Sequence, residues 1–274
     1  MSTSPKRILR QLVPPALLSI YRRTRRQFGF SGDFKSWEEA LLQCKGYEAE
    51  NILKKVREAA LKVKRGEAAF ERDSVPFTEP DYHWPLLAHL LWIAAENGGA
   101  LQLIDYGGSL GSTYFQYRPY LAGLSEVRWT VVEQPAFVEC GNAEFQDERL
   151  LFQDSLSHAA SSKNINVVLL SSVLPYVARP YDLLEEVVAT GIPYLVVDRT
   201  PFVDGDRDRL TIQRVSPAIY DASYPAWFLS EKKFLDLLLH TYREIVRFEG
   251  FDEANIRARY RGFVFERRSE MRNP

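Results

Sequence analysis

The chain has 274 residues, 46% hydrophobic and 26% charged, with a formal net charge of −1. That balance suits a globular enzyme with a full core and excludes a protein drawn to nucleic acid by its overall field. Cys44 and Cys140 stand far apart without CxxC spacing, which argues against a disulfide framework or a structural zinc site and for a reducing, cytoplasmic compartment.

Residues 1–30 form a basic segment. They hold Lys6, Arg7, Arg10, Arg22, Arg23, Arg25 and Arg26 and no acid, while Leu17, Ile20, Tyr21, Thr24 and Phe28 fall on one helical face. Two readings stand side by side: an interfacial helix in peripheral contact with an anionic membrane, or a short helix docked on its own domain. Pro14-Pro15 splits the apolar part, so no signal peptide is expected, and no apolar run reaches the ~18 residues of a spanning helix.

Residues 31–99 read as a helical region. Ser36-Trp-Glu-Glu39 is a capping box that starts a helix near Trp37, with Gly46 as its stop. Ile52, Val56, Ala59, Ala60 and Val63 recur at helical spacing to about Arg65. A third helix begins around Pro85 and stops at Asn97-Gly98-Gly99.

Residues 100–274 change pattern. Strand-length apolar runs at 101–105, 128–133, 150–153, 166–171 and 194–198 alternate with helices predicted at 112–121, 135–145 and 181–190. A long stretch to Ser230 follows without obvious structure. Then come a helix over 231–240, capped by Ser230, and strands near 244–248 and 262–266. Near-continuous runs such as Val167-Val168-Leu169-Leu170 fit a parallel sheet covered on both faces. Five β/α units and a closing hairpin predict an α/β fold: a doubly wound, mostly parallel, seven-stranded Rossmann-like sheet with a helical N-terminal extension.

The first candidate site is Leu101-Gln-Leu-Ile-Asp-Tyr-Gly-Gly-Ser-Leu-Gly111. A buried strand runs into a glycine-rich turn under a helix N-terminus, where backbone N–H groups approach a ligand closely. The spacing does not match the dinucleotide pattern G-x-G-x-x-G. It fits acid-x-G-x-G-x-G through Asp105, Gly107 and Gly111, with Gly108 inside the turn and Ser109 in place of the middle glycine. Asp105 can accept a hydrogen bond from a ligand ammonium, whereas a pyrophosphate would be repelled. Read alone, the loop also fits an ordinary strand-to-helix turn.

Glu133, at the tip of the next strand, is placed to chelate two ribose hydroxyls, which would serve NAD or S-adenosylmethionine equally. Asp154-Ser155 follows the third strand, as an adenine contact or a helix cap. Ser171 and Ser172 leave the fourth strand toward Pro175-Tyr176, as ligand contacts or as a cap. Asp198-Arg199 opens the long stretch that holds Gln213, Tyr220, Tyr224 and Trp227, residues suited to a polar substrate such as a sugar. His83, just before a helix, is a candidate general base. No two histidines have metal-ligand spacing, so no metal is expected.

Together these segments resemble a class I S-adenosylmethionine-dependent methyltransferase. The closer resemblance is to a bacterial family of methyltransferases encoded with surface-polysaccharide genes. It is carried by Phe28-Gly-Phe-Ser-Gly-Asp33, Gly66-Glu-Ala-Ala-Phe-Glu-Arg-Asp-Ser74, Asp105-Tyr-Gly-Gly-Ser-Leu-Gly-Ser-Thr-Tyr-Phe115 and Trp129-Thr-Val-Val-Glu-Gln-Pro135. Leu170-Ser-Ser-Val-Leu-Pro-Tyr176, Asp198-Arg-Thr200 and Ala222-Ser-Tyr-Pro-Ala-Trp227 complete it, over residues 28 to 265.

The resemblance implies S-adenosyl-L-methionine as cofactor. Asp105, Gly107, Gly108, Ser109 and Gly111 would hold its methionine end, Glu133 its ribose, and Gln134 and Asp154 the adenine side, with Ser171 beside them. The resemblance fixes neither substrate nor base; from the residues themselves, Arg199, Tyr176, Tyr220, Tyr224 and Trp227 would meet a small-molecule or glycan acceptor, and His83 or Asp198 would be the base. Two rivals remain at this stage: a non-catalytic partner in membrane-associated glycan assembly, and an NAD-dependent sugar dehydrogenase, which the loop spacing disfavours.

Overall fold

The computed structural model describes residues 28–44, 49–72, 74–216 and 222–268. The N-terminal part contains β1 (Gly29–Phe34), α1 (Trp37–Leu41), α2 (Ala49–Lys64), β2 (Phe70–Arg72), β3 (Val75–Phe77) and α3 (Trp84–Glu96). The capping box is real: Ser36 accepts from the Glu39 N–H. At the end of α3 Gly98 and Gly99 take φ values of 66° and 86°, and the Gly99 N–H returns to the Ala94 carbonyl. That is a C-terminal stop only glycine makes without strain. The segment 1–27, Gly46 and Tyr220 lie outside the described residues.

The α/β part follows in chain order. It runs β4 (Ala100–Tyr106), α4 (Ser112–Leu121), β5 (Glu126–Val132), α5 (Pro135–Glu144), β6 (Leu150–Gln153), α6 (Leu156–Ala160), β7 (Val167–Ser171) and α7 (Pro180–Ala189). It ends with β8 (Tyr194–Val203), β9 (Arg209–Arg214), β10 (Ser223–Ser230), α8 (Glu231–Leu238), β11 (Tyr242–Glu249) and β12 (Arg259–Arg267). Strands β6-β5-β4-β7-β8 are parallel neighbours, and β12 then β11 close the sheet antiparallel. The doubly wound core is therefore the expected one.

Its strands are buried on both faces. Leu103, Val131, Leu169 and Val196 point into one core with Leu90, Tyr117 and Phe145. Ile104, Val168, Leu170 and Val197 point into the other with Leu184 and Phe234. Each fully buried side chain of this kind contributes about 1.5–3 kcal/mol, which is why the strands read as unbroken apolar runs.

Two expectations need correction. The N-terminal region is not purely helical. Gly29-Phe-Ser-Gly-Asp-Phe34 carries two left-handed glycines and a weak strand pattern, yet it pairs antiparallel with β9. Asn255 fixes its other edge, exchanging two 2.8 Å hydrogen bonds with the Phe30 backbone. The stretch after 203 is likewise not irregular: β9 and β10 pair antiparallel, Trp227 opposite Leu210.

These strands extend the expected seven to a 10-stranded sheet. They do so because β8 runs past Asp198 to Val203, where Phe202 is paired by Leu229 on one side and Arg259 on the other. A tertiary edge, not local sequence, makes the three new strands β1, β9 and β10.

Candidate active site

A cleft of about 930 Å³ opens at the carboxyl ends of β4, β5, β7 and β8. The order of the sheet reverses between β4 and β7, the place where ligands bind in such sheets. Of the residues named from sequence, Asp105, Gly107, Gly108, Ser109, Glu133 and Gln134 line it on one side. His83, Ser171, Tyr176, Asp198, Arg199 and Tyr224 line the other, and Asp154 sits at its edge.

On the loop side, the Gly107 N–H donates to the Val132 carbonyl at 2.8 Å and ties the turn to β5. Gly107 has φ 74°, and a Cβ there would come 2.6 Å from Val173. A Cβ on Gly108 would lie 2.4 Å from Asp105 Oδ2. Both glycines therefore clear the protein's own side chains. Ser109 adopts φ 57°, so the serine keeps the left-handed backbone of a glycine at the cost of strain. Gly111 (φ 86°) begins α4 and packs toward Leu150; it does not line the cleft.

Asp105 is 2% exposed and accepts from the Trp129 indole N–H at 2.9 Å. Burial pushes its pKa up to about 7, the nearby Glu133 charge adds to the rise, and the Trp129 bond opposes it. Glu133, at the tip of β5, is also pushed above the usual carboxylate range by burial, against hydrogen bonds from the Gln134 and Ser109 N–H groups. Among the described residues neither carboxylate has an ion-pair partner.

Gln134 is the exposed residue before α5. Asp154 is exposed and 4.0 Å from His158, while Ser155 caps α6 by accepting from the His158 N–H. The capping alternative therefore holds for Ser155, and Asp154 remains on the cleft.

On the opposite side three separated segments meet. His83 precedes α3, but its side chain does not cap that helix. Its Nδ1 lies 3.3 Å from Asp198 Oδ2. A carboxylate only accepts, so Nδ1 carries a proton, and in the neutral ring Nε2 is the acceptor. Asp198 is 1% exposed. Ser171 is the register partner of Asp198 and donates to the same Oδ2 at 3.1 Å. Ser171 is therefore bonded to the acid rather than acting as a helix cap. Tyr117 Oη donates to the His83 carbonyl at 3.1 Å, and the rings of Phe248 and Phe251 stand edge-on to the imidazole.

Tyr176 and Tyr224 form an edge-to-face pair at 5.3 Å, and Tyr176 Oη donates to Gln213 at 2.8 Å. Trp227 is not brought to the cleft. It stacks at 6.4 Å on Trp37, which lines the cleft instead. Arg199 (φ 49°) makes a two-point pair with Asp252 at 2.8 and 3.0 Å.

Sequence reasoning singled out neither Asp252 nor Phe251, on the β11–β12 loop, nor Glu71 and Arg72 on β2, nor Tyr117 and Tyr260. Glu71 is buried and accepts from Ser112 Oγ and from the Ser74 N–H, at the start of α4. The available signal was that Glu71 and Arg72 fall inside one of the segments that carry the family resemblance.

Among the described residues no cluster of three His, Cys, Asp or Glu side chains could hold a metal ion, and no helix is long and apolar enough to cross a membrane. No protein-family model matches the chain. No curated protein matches it in sequence.

Solved structures do resemble it. One is the N-terminal domain of EvdMO1, solved in the presence of SAH and D-fucose, at 13% identity and TM-score 0.48, over 82% of this chain and 100% of that one. Another is magnesium protoporphyrin IX methyltransferase (ChlM) from Synechocystis PCC 6803 with bound SAM, at 12% identity and TM-score 0.47, over 82% and 99%. A third is SAM-bound CalS10, an amino pentose methyltransferase from Micromonospora echinaspora, at 14% identity and TM-score 0.46, over 78% and 97%. Likeness at this level assigns this chain neither substrate nor activity.

Proposed function

We propose that the protein transfers a methyl group from S-adenosyl-L-methionine to an oxygen of a carbohydrate or glycan-pathway intermediate. The observation that carries the cofactor reading is the pair Asp105 and Glu133, at the tips of adjacent strands β4 and β5. Burial disfavours the charge of both. They suit a ligand that brings an ammonium to Asp105 and vicinal ribose hydroxyls to Glu133, and they repel a dinucleotide pyrophosphate. When bound, the cofactor supplies an electrophilic methyl group on a sulfonium.

The chain's own residues have the rest of the work. Nε2 of His83 is the group placed to take the acceptor's hydroxyl proton as the oxygen attacks. Asp198 fixes the imidazole tautomer through Nδ1, and Ser171 fixes Asp198, which makes both positioning residues rather than bases. Gly107, Gly108 and Ser109 keep the loop low so that donor and acceptor are held close and aligned, the main source of rate in a displacement of this kind. Tyr176, Tyr224 and Gln213 offer rings and an amide to a sugar.

Calorimetric titration with S-adenosylhomocysteine tests the reading. Binding is expected, and the Glu133→Ala variant is expected to lose most of it. No heat at high micromolar ligand contradicts the cofactor assignment, and unchanged affinity in the variant contradicts the ribose role.

A further inference from the structure

Charge is distributed one-sidedly along the cleft. Asp105, Glu133 and Asp154 line the loop side, Glu71 stands against Ser112 at the start of α4, and Asp198, Asp252 and Glu253 line the opposite wall. Against them the described lining holds two permanent cations, Arg72 and Arg199, and no lysine.

Arg199 is held on two nitrogens, Arg72 by one long contact and by aromatic rings. Arg199 is in its two-point pair with Asp252 and lies 4.9 Å over the Phe251 ring. Arg72 lies 4.3 Å over the same ring, with Asp81 at 3.5 Å. A guanidinium whose fork already holds a carboxylate must break that pair to hold a phosphate in the same geometry.

Asp198 gives an independent sign. It is 1% exposed, it lines this cleft, and its Oδ1 has no hydrogen-bond partner among the described residues. A buried carboxylate oxygen left unmet calls for a donor, a hydroxyl or an ammonium, and is destabilised further by an anion.

We propose that the acceptor taken by this cleft carries no phosphate. It is a neutral or amine-bearing sugar, and nucleotide-activated or pyrophosphate-linked sugars are rejected because Asp252 occupies Arg199. The identity of the acceptor as a methyl acceptor rests on the function proposed above; the charge selection does not.

The test is calorimetric titration of the full chain, at low ionic strength, with UDP-glucose and with UDP, and with S-adenosylhomocysteine in parallel. No binding of either uridine compound is expected up to ~1 mM, and Asp252→Asn is expected to gain UDP affinity by ~10-fold or more. Circular dichroism of the variant checks that it folds.

Binding of UDP-glucose by the native protein at ~1 mM or tighter overturns the proposal without any variant. So does a folded Asp252→Asn protein that excludes UDP as fully as the native one. Loss of S-adenosylhomocysteine binding with UDP-glucose still excluded removes the methyl-transfer reading alone.

Discussion

The two sides of the cleft are built in opposite ways. The loop side is local: Asp105 to Ser109 are consecutive, and Glu133 belongs to the next strand. Its carboxylates are held up by burial and wait for a cation. The opposite side is assembled from His83, Ser171, Asp198 and Asp252, which tertiary structure alone brings together, and its polar groups largely satisfy one another. A side built from one motif can carry unmet charge for a ligand to relieve. A side built from distant segments must first hold itself in place.

The largest expected effect comes from the unmet charge. Asp105 binds its proton more tightly folded than unfolded, so the native state holds the extra proton between pH 4 and 7. Stability of the ligand-free protein should therefore fall as pH rises through that window and level off above it, by at most about 4 kcal/mol in all. Asp105→Asn removes this slope and is more stable than the native protein at pH 8. Urea unfolding across pH reads it, and a variant with the native slope sinks the assignment. The same titration predicts that S-adenosylhomocysteine binds more tightly at pH 8 than at pH 6, with a proton released.

Next comes packing. Gly108→Ala sets a Cβ against a carboxylate that is itself buried, so the loop must shift. A loss of about 1–3 kcal/mol is expected. Native stability in that variant would mean that the loop is looser than the contact requires.

Glu133→Ala should weaken S-adenosylhomocysteine by ~10–100-fold without lowering the unfolding midpoint, because burial already disfavours the Glu133 charge. The smallest effect belongs to Ser109→Gly. Release of the left-handed strain, less the added freedom of the unfolded chain, should stabilise by roughly 0.5 kcal/mol. A loss of stability there would show that the serine side chain makes a contact worth more than the strain.

The same contrast governs what the sequence disclosed. Leu101 to Gly111 and Trp129 to Glu133 announce themselves through apolar runs, an acid and glycines in fixed spacing, so the loop side was legible. The mostly parallel character of the sheet and its closing hairpin followed from the alternation of apolar runs. Strand β1 was hidden because Gly29 and Gly32 break its pattern and its stability comes from the β9 edge and Asn255. The β9–β10 extension was hidden because β8 continues past a charged Asp198-Arg199 that looks like a strand end. The bonds from His83 and Ser171 to one oxygen of Asp198 depend on register and on a helix start, which no spacing in the chain encodes.

The most direct measurement is a crystal structure of the protein with S-adenosylhomocysteine. The ribose hydroxyls are expected within hydrogen-bond distance of the Glu133 carboxylate, the ligand ammonium over Asp105 beside Gly107 and Gly108, and the sulfur facing the His83 side of the cleft. A ligand seated elsewhere, or one whose ribose avoids Glu133, contradicts the cofactor assignment.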